Sequence, residues 1–327
     1  MIKSIGKNEF KLDLKDRKIL YELDWNCRQT CSQIGKKVAL SSEVVNYRIR
    51  KMEEEGVITQ YQVALDLSKL GIIQFKILLS FQHMDSKKLD EILKNLKENK
   101  SVKWIVSCNG SWDLLISLEA ESIQEIDSLK NEIMSLFENY INKKAVSIFS
   151  SGFVYNRDYL TGKKTYNRTR VIVSGDKKEK LDKIDLEILK KLAENARKPI
   201  VDLAGELKTS ARVVNYRIRQ LEKERIITGF RVAINYDKLG IRFYKTFFYL
   251  DSPKKERLEK LGDYLASNKN VIHNLKVVGS WDIEPEFEVY SETEFSFIIE
   301  DLKDKFSDII KSIDIVTISK EHKFVYL

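Results

Sequence analysis

Val44-Val45-Asn46-Tyr47-Arg48-Ile49-Arg50 recurs without change as Val213-Val214-Asn215-Tyr216-Arg217-Ile218-Arg219. The same displacement, Asn46 to Asn215, carries Asp16 onto Asp185, Arg28 onto Arg197 and Gly71 onto Gly240. It also carries Gly110-Ser111-Trp112-Asp113 onto Gly279-Ser280-Trp281-Asp282. One displacement holding over roughly a hundred residues needs no internal gap and is not a coincidence, so the chain is read as two tandem copies of one unit. The register slips by two only near the end, where Phe153-Val154-Tyr155 matches Phe324-Val325-Tyr326.

The repeated heptapeptide lies in a helical pattern. Upstream, apolar residues at 12, 19, 20 and 23 make a stripe over Leu12 to Leu23, and a short helix fits Ser32 to Val38. A third helix starts after Ser41, a good N-cap, runs to about Glu54 and stops at Gly56. Three short helices with a tight turn between the last two predict a helix-turn-helix, and Val57 to Ala64 then predicts a strand or wing. At about 100° per residue, Val45, Ile49 and Met52 of the third helix fall together and face a core. Glu43, Asn46, Tyr47 and Arg50 lie opposite, and Arg48 and Lys51 flank the stripe. This is the arrangement a recognition helix needs: an apolar anchor, with Asn to pair adenine and Arg to pair guanine in the major groove. A solvated helix face would also point charges outward, but idle surface residues rarely stay identical while their neighbours diverge. The expected contacts with double-stranded DNA are therefore Ser42, Glu43, Asn46, Tyr47, Arg50 and, on the phosphates, Arg48 and Lys51. In the second copy they are Asn215, Tyr216 and Arg219, with Arg212 and Arg217 on the phosphates.

The rest of each unit has another rhythm. Strands are expected over Ile72 to Phe81, Val102 to Ser107, Trp112 to Leu118 and Ala145 to Phe149. Helices fit Ser86 to Leu96 and the stretch opened by a capping box at Ser122 and Glu125. The order is βαββαβ, the ferredoxin-like split arrangement. The second copy repeats it, with Ser252-Pro253 opening its first helix and Ser291 and Glu294 its second. There Asp282-Ile283-Glu284-Pro285-Glu286 departs from the first copy, and its proline predicts an edge or bulged strand. The fold class is thus α+β in two units. Residues 1–61 and 181–230 are the helix-turn-helix domains, 62–156 and 231–327 the ferredoxin-like domains, and 157–180 a linker. Asn156 to Lys180 is rich in Lys, Arg, Thr, Asn and Gly and reads as mostly solvated, with a short strand at Arg170 to Val173.

Composition agrees with a polyanionic partner but does not demand one: 57 Lys and Arg against 49 Asp and Glu leave +8 over 327 residues. Three cysteines, Cys27, Cys31 and Cys108, form neither a disulfide framework nor a metal constellation, and a reducing compartment is expected. Met1 to Leu20 is charged throughout, no apolar run approaches the ~20 residues of a membrane span, and a cytoplasmic location with no membrane partner is expected.

Leu12-Asp13, Asp16-Arg17-Lys18-Ile19-Leu20, Arg28, Ser41, Arg48 and Glu53-Glu54-Glu55-Gly56-Val57-Ile58, together with the Gly110-x-x-Asp113 turn, resemble the Lrp/AsnC (leucine-responsive regulatory protein) family of prokaryotic transcription regulators. The resemblance covers nearly the whole chain, twice. It implies sequence-specific DNA binding and self-association through the α/β domains. It also implies a small effector such as an amino acid, held near Asn109, Gly110, Asp113 and their counterparts Gly279 and Asp282. The usual member carries one unit, so here one chain folding as a pseudo-dimer takes the place of a homodimer, with pairing between chains the alternative. For Gly110, Gly279, Asp113 and Asp282 a tight turn with a capping carboxylate is the competing reading. An architectural protein with little sequence preference is one functional alternative. Siroheme decarboxylases resemble the family in fold, but His83, His273 and His322 are not equivalent between copies and no nucleophile or phosphate loop is present. The expectation is a protein that is not an enzyme and needs no cofactor or metal.

Overall fold

The computed structural model describes residues 10–162 and 168–325. The first unit runs α1 (Leu14–Trp25), α2 (Cys31–Val38), α3 (Ser42–Glu54), β1 (Ile58–Leu65), β2 (Ile73–Phe81), α4 (Ser86–Glu98), β3 (Val102–Gly110), β4 (Leu114–Ala120), α5 (Ile123–Leu136) and β5 (Ile141–Tyr155). After β6 (Thr169–Val173) the order repeats as α6 (Lys183–Glu194), α7 (Ile200–Glu206), α8 (Ala211–Lys223), β7 (Ile227–Ile234), β8 (Arg242–Leu250), α9 (Lys255–Ser267), β9 (Val271–Val278), β10 (Ile283–Val289), α10 (Glu292–Lys305) and β11 (Ile310–Phe324). Helix starts follow the chemistry of the sequence. Asp13 and Asp182 make capping boxes with Asp16 and Asp185, and Ser41 and Ser210 cap the repeated helices. Pro253 precedes α9, but Ser252 does not cap it: the N-cap position is Lys254, whose side chain makes no cap bond.

Each α/β half has the ferredoxin-like order, β5-β2-β4-β3 in the first and β11-β8-β10-β9 in the second. The last strand is three times the length the apolar run Ala145 to Phe149 predicts, because it serves two sheets. The first part of β5 pairs with β2 and its continuation with β9; β11 pairs first with β8 and then with β3. The two sheets thereby close into one ring around an inter-copy core. Side chains alternate accordingly: Phe75, Ile77 and Leu79 face the first unit's own helices, while Leu78 joins Trp112, Phe247 and Trp281 between the sheets. Trp112 and Trp281 are both core residues, their rings 6.3 Å apart across the seam.

The strand after each recognition helix is not a free wing. β1 and β7 pair with each other, antiparallel, in a separate two-stranded ribbon. Around it the copies exchange equivalent bonds, as an isologous interface requires. Cys27 N–H donates to Phe230 O and Ala196 N–H to Tyr61 O; Phe10 N–H donates to Lys238 O and Glu179 N–H to Lys69 O. The chain is an intramolecular pseudo-dimer.

One expectation is corrected here and one pair of alternatives is decided. The first part of the segment after Tyr155 is not solvated: Asn156, Arg157, Asp158, Tyr159, Leu160, Arg168 and Arg170 are buried, and β6, the short strand expected there, extends the sheet beside β5, while 175–180 is exposed. Part of that segment, 163–167, lies outside the described residues, as does Tyr326 of the matched C-terminal tripeptide. Of the two alternatives for Pro285 the bulge holds and the edge does not: β10 is flanked by β8 and β9, and its pairing with β9 shifts register between Glu286 and Phe287. Pro285 lacks an N–H for the ladder, and its carbonyl accepts from the Thr246 hydroxyl on β8 at 2.7 Å, where the first copy has Ile116 opposite Ile77.

Gly110 has φ +126°, and a Cβ there would stand 2.4 Å from Ile315 O on β11. Gly110→Ala is expected to cost about 1–3 kcal/mol, read as a lower midpoint in thermal or urea unfolding, since both the backbone conformation and the inter-copy seam must yield.

Candidate nucleic-acid interface and the inter-sheet cavity

The two recognition helices, α3 and α8, sit on three-helix domains whose cores merge with the β1–β7 ribbon. Val45, Ile49 and Met52, and equally Val214, Ile218 and Leu221, point into that core. Glu43, Asn46, Tyr47, Arg50 and Lys51 are exposed, as are Arg212, Tyr216 and Arg219; Ser42 and Asn215 are half-buried. Tyr47 and Tyr216 are 65% and 58% exposed, unusual for side chains of their size and consistent with a face that meets a partner. Asn46 and Arg50 are one helical turn apart, as are Asn215 and Arg219.

Arg48 and Arg217 are revised. Each guanidinium is ion-paired within the protein at its partly exposed surface, Arg48 with Asp13 and Asp16 at 2.7 Å each, Arg217 with Asp182 at 2.7 Å and Asp185 at 3.3 Å. They clamp the recognition helix to the capping box of the first helix and set its angle. Lys51 lies over the Phe10 ring at 5.9 Å, on the flank of the helix.

Arg28 and Arg197 hold the two helix-turn-helix domains in fixed relation. Arg28 donates to Ala196 O and Lys198 O, and Arg197 to Cys27 O, each reaching into the other copy. Their identical place in both copies was the available signal, but spacing alone does not say that they cross the pseudo-two-fold axis.

At the expected effector turns, both carboxylates are already committed. Asp113 accepts from Phe81 N–H and Asp282 from Leu250 N–H, at 2.7 Å in each case. Gly110 and Gly279 abut the other copy's backbone, at Ile315 and Val146, and Asn109 pairs with Thr317 of β11.

A cavity of about 650 Å³ lies instead beneath the β1–β7 ribbon, between the inner faces of the two sheets. Lys76 and Glu286 on its wall belong to a buried ion cluster that sequence reasoning missed. Lys245 lies 2.6 Å from Glu284 and 2.5 Å from Glu286; Lys76 lies 3.0 Å and 3.7 Å from the same pair. The lysines are equivalent in the two copies, but both glutamates come from the second, where the first has Leu115 and Ser117. Burial would raise the Glu284 carboxyl, but Lys245 and Lys76 outweigh it and hold it at about 2. Burial takes Lys76 down to about 8, against the pull of Glu284. A second cluster ties Asp24 to Arg157 and Arg231, with Arg157 also bonded to Glu288. Among the described residues no group of His, Cys, Asp and Glu could hold a metal ion, and no helix is long and apolar enough to cross a membrane.

Comparison with known proteins fits this geometry. A family model described as winged helix-turn-helix DNA-binding matches residues 12–59 and again 181–228. The proline dehydrogenase transcriptional activator of Rhodobacter capsulatus is 31% identical over 125 residues, which is 38% of this chain and 81% of that protein. The transcriptional regulator LrpB of Bacillus subtilis is 25% identical over 138 residues, 42% of this chain and 91% of its own. These relatives each span about one unit. Among solved structures, the siroheme decarboxylase NirDL superposes on the whole architecture, with a TM-score of 0.61 at 14% identity over 96% of this chain and 93% of that one. That finding overturns the expectation that the chain is not an enzyme: an enzyme shares its two-unit fold end to end. At such identity the likeness is one of fold. The relatives of each unit, the paired helix-turn-helix domains and the duplicated recognition helix together show that the chain belongs to the Lrp/AsnC family of DNA-binding transcription regulators, as a tandem duplication of the family's unit.

Proposed function

We propose that this chain is a sequence-specific regulator that reads double-stranded DNA as a single-chain pseudo-dimer. The observation that carries the reading is the pair of recognition helices: Asn46 with Arg50, and Asn215 with Arg219, project from equivalent exposed faces whose domains are locked together by reciprocal bonds. Asn and Arg at that spacing offer bidentate pairing to adenine and guanine, while Lys51 and Arg212 supply charge for phosphates. One chain then addresses two half-sites about one helical turn, roughly 34–36 Å, or a multiple apart. Footprinting alongside light scattering tests this. A monomeric chain that protects two half-sites is the expected result, and protection of a single half-site by the folded chain would contradict it.

An amino-acid effector belongs to the same reading. With Asp113 and Asp282 committed as caps, such a ligand would meet the backbone of the Asn109-Gly110 and Gly279 turns at the seam between copies. A thermal-shift series over the common amino acids checks it; no stabilisation at millimolar ligand counts against this part.

A further inference from the structure

The pseudo-symmetry of the inter-sheet space is broken at one pair of carboxylates. Glu288 on β10 and Glu119 on β4 occupy equivalent positions, each on the inner face of its sheet. Glu288 is fully buried and fully partnered by the segment that joins the copies. Arg157 grips it with two nitrogens, at 2.8 and 3.1 Å, and the Tyr159 hydroxyl donates to it as well. The same guanidinium donates to Val232 O of the ribbon. The seat is therefore built for a guanidinium, and in the second copy the chain fills it itself.

In the first copy the equivalent seat opens onto the cavity. Among the described residues Glu119 has one cationic partner, Lys103, at 3.4 Å. Beside it Ser117, the counterpart of Glu286, is 3% exposed and lines the cavity with a hydroxyl that has no partner. A second carboxylate on the wall, Glu321, is held by the Trp104 indole N–H at 2.8 Å. Burial raises both carboxyls, and Lys103 offsets this only in part at Glu119. The wall thus presents two under-neutralised acids and a free hydroxyl beside the Trp104 ring, over which Lys76 already lies at 5.5 Å, a surface suited to a planar cation.

We propose that the first copy's half of the cavity is a binding site for a guanidinium-bearing small molecule, seated on Glu119 and Ser117 as Arg157 is seated on Glu288. The proposal goes beyond DNA recognition and stands independently of it. Agmatine, which carries a guanidinium and an amine but no carboxylate, is the probe. Calorimetric titration of the full chain is expected to show saturable binding with a raised melting temperature. Glu119→Gln should weaken it about tenfold or more, the usual consequence of losing a charge-assisted bond. Lys103→Met, which frees Glu119 from its internal partner, should tighten it severalfold. A folding defect cannot produce both signs, so the pair of variants separates recognition from stability. No binding at millimolar agmatine, unchanged affinity in Glu119→Gln, or unchanged or weaker affinity in Lys103→Met would each overturn the proposal. So would binding of a polycarboxylate porphyrin with none of agmatine, which would mark the cavity as a site for anions.

Discussion

Arg50→Ala combined with Arg219→Ala is expected to weaken specific DNA binding by about 2–6 kcal/mol, the loss of one bidentate base contact of about 1–3 kcal/mol at each helix. Both side chains are exposed, so the folded chain should keep its stability to within about 0.5 kcal/mol, and the loss is read cleanly by fluorescence titration against operator and random DNA. The two single variants should not be equal. The recognition helices share seven residues but open differently, with Ser42-Glu43 in one copy and Ala211-Arg212 in the other. Glu43 presents a carboxylate to the groove, able to accept from a cytosine amino group but repelled by phosphates; Arg212 adds attraction in the same place. Arg219→Ala should therefore cost more than Arg50→Ala, and Arg212→Ala should flatten the slope of log affinity against log salt by up to about one. Equal losses together with a perfectly palindromic site would show that DNA does not sense this difference. Unchanged binding in the double variant would remove α3 and α8 from the interface.

What could be read in the sequence was local or repeated. The helix start at Ser41 rests on a side chain a few residues from the backbone it caps, so composition and order suffice. The duplication was legible because identity at a constant displacement survives without any knowledge of contacts. The pairing of the two copies was expected from the duplication, but the particular residues that join distant segments were not legible. The second part of β5 has no apolar alternation of its own to announce a strand, since Ser150-Ser151-Gly152 is paired by β9, more than a hundred positions away. Arg157 and Arg170 read as solvated charges in a polar stretch because their partners, Asp24 and the carbonyl of Trp25, lie in α1. Arg48 and Lys51 look alike on a helical wheel, and only the position of Asp13 and Asp16 separates a clamp from an exposed cation. Pro285 left an edge and a bulge open, and only the placement of β10 between β8 and β9, with a register shift at Glu286 and Phe287, decides between them.

Asp24→Ala is expected to destabilise the chain by about 3–5 kcal/mol, the range for removing one partner of a buried ion pair and stranding the other. Asp24 is fully buried at the end of α1 and accepts from Arg157 N–H and Nη1, from Arg231 Nε and Nη2 and from Asn156. Without it, Arg231 loses its carboxylate and Arg157 keeps Glu288 and Val232 O. The first copy's ribbon has Gln62 where the second has Arg231, and Ala193 stands where α1 has Asp24, so the structure already contains an uncharged version of this junction. Arg231→Gln in the Asp24→Ala background should accordingly recover part of the loss in urea unfolding; a further loss would show that Arg231 is not the stranded charge. The pH dependence gives a second reading. Burial alone would raise the Asp24 carboxyl, but Arg231, Arg157 and Arg170 outweigh it and bring it from 3.8 to about 2. A depressed folded-state value contributes stability that is complete above about pH 4 and drains as pH falls toward 2, here about 2–3 kcal/mol. The wild-type chain should lose stability across that window more steeply than Asp24→Ala. Because Asp24 ties the first helix-turn-helix to a segment gripping Glu288 of the second α/β half, the same variant should loosen the first recognition helix and leave the second in place. In footprints its protection should therefore fail first at the half-site read by α3.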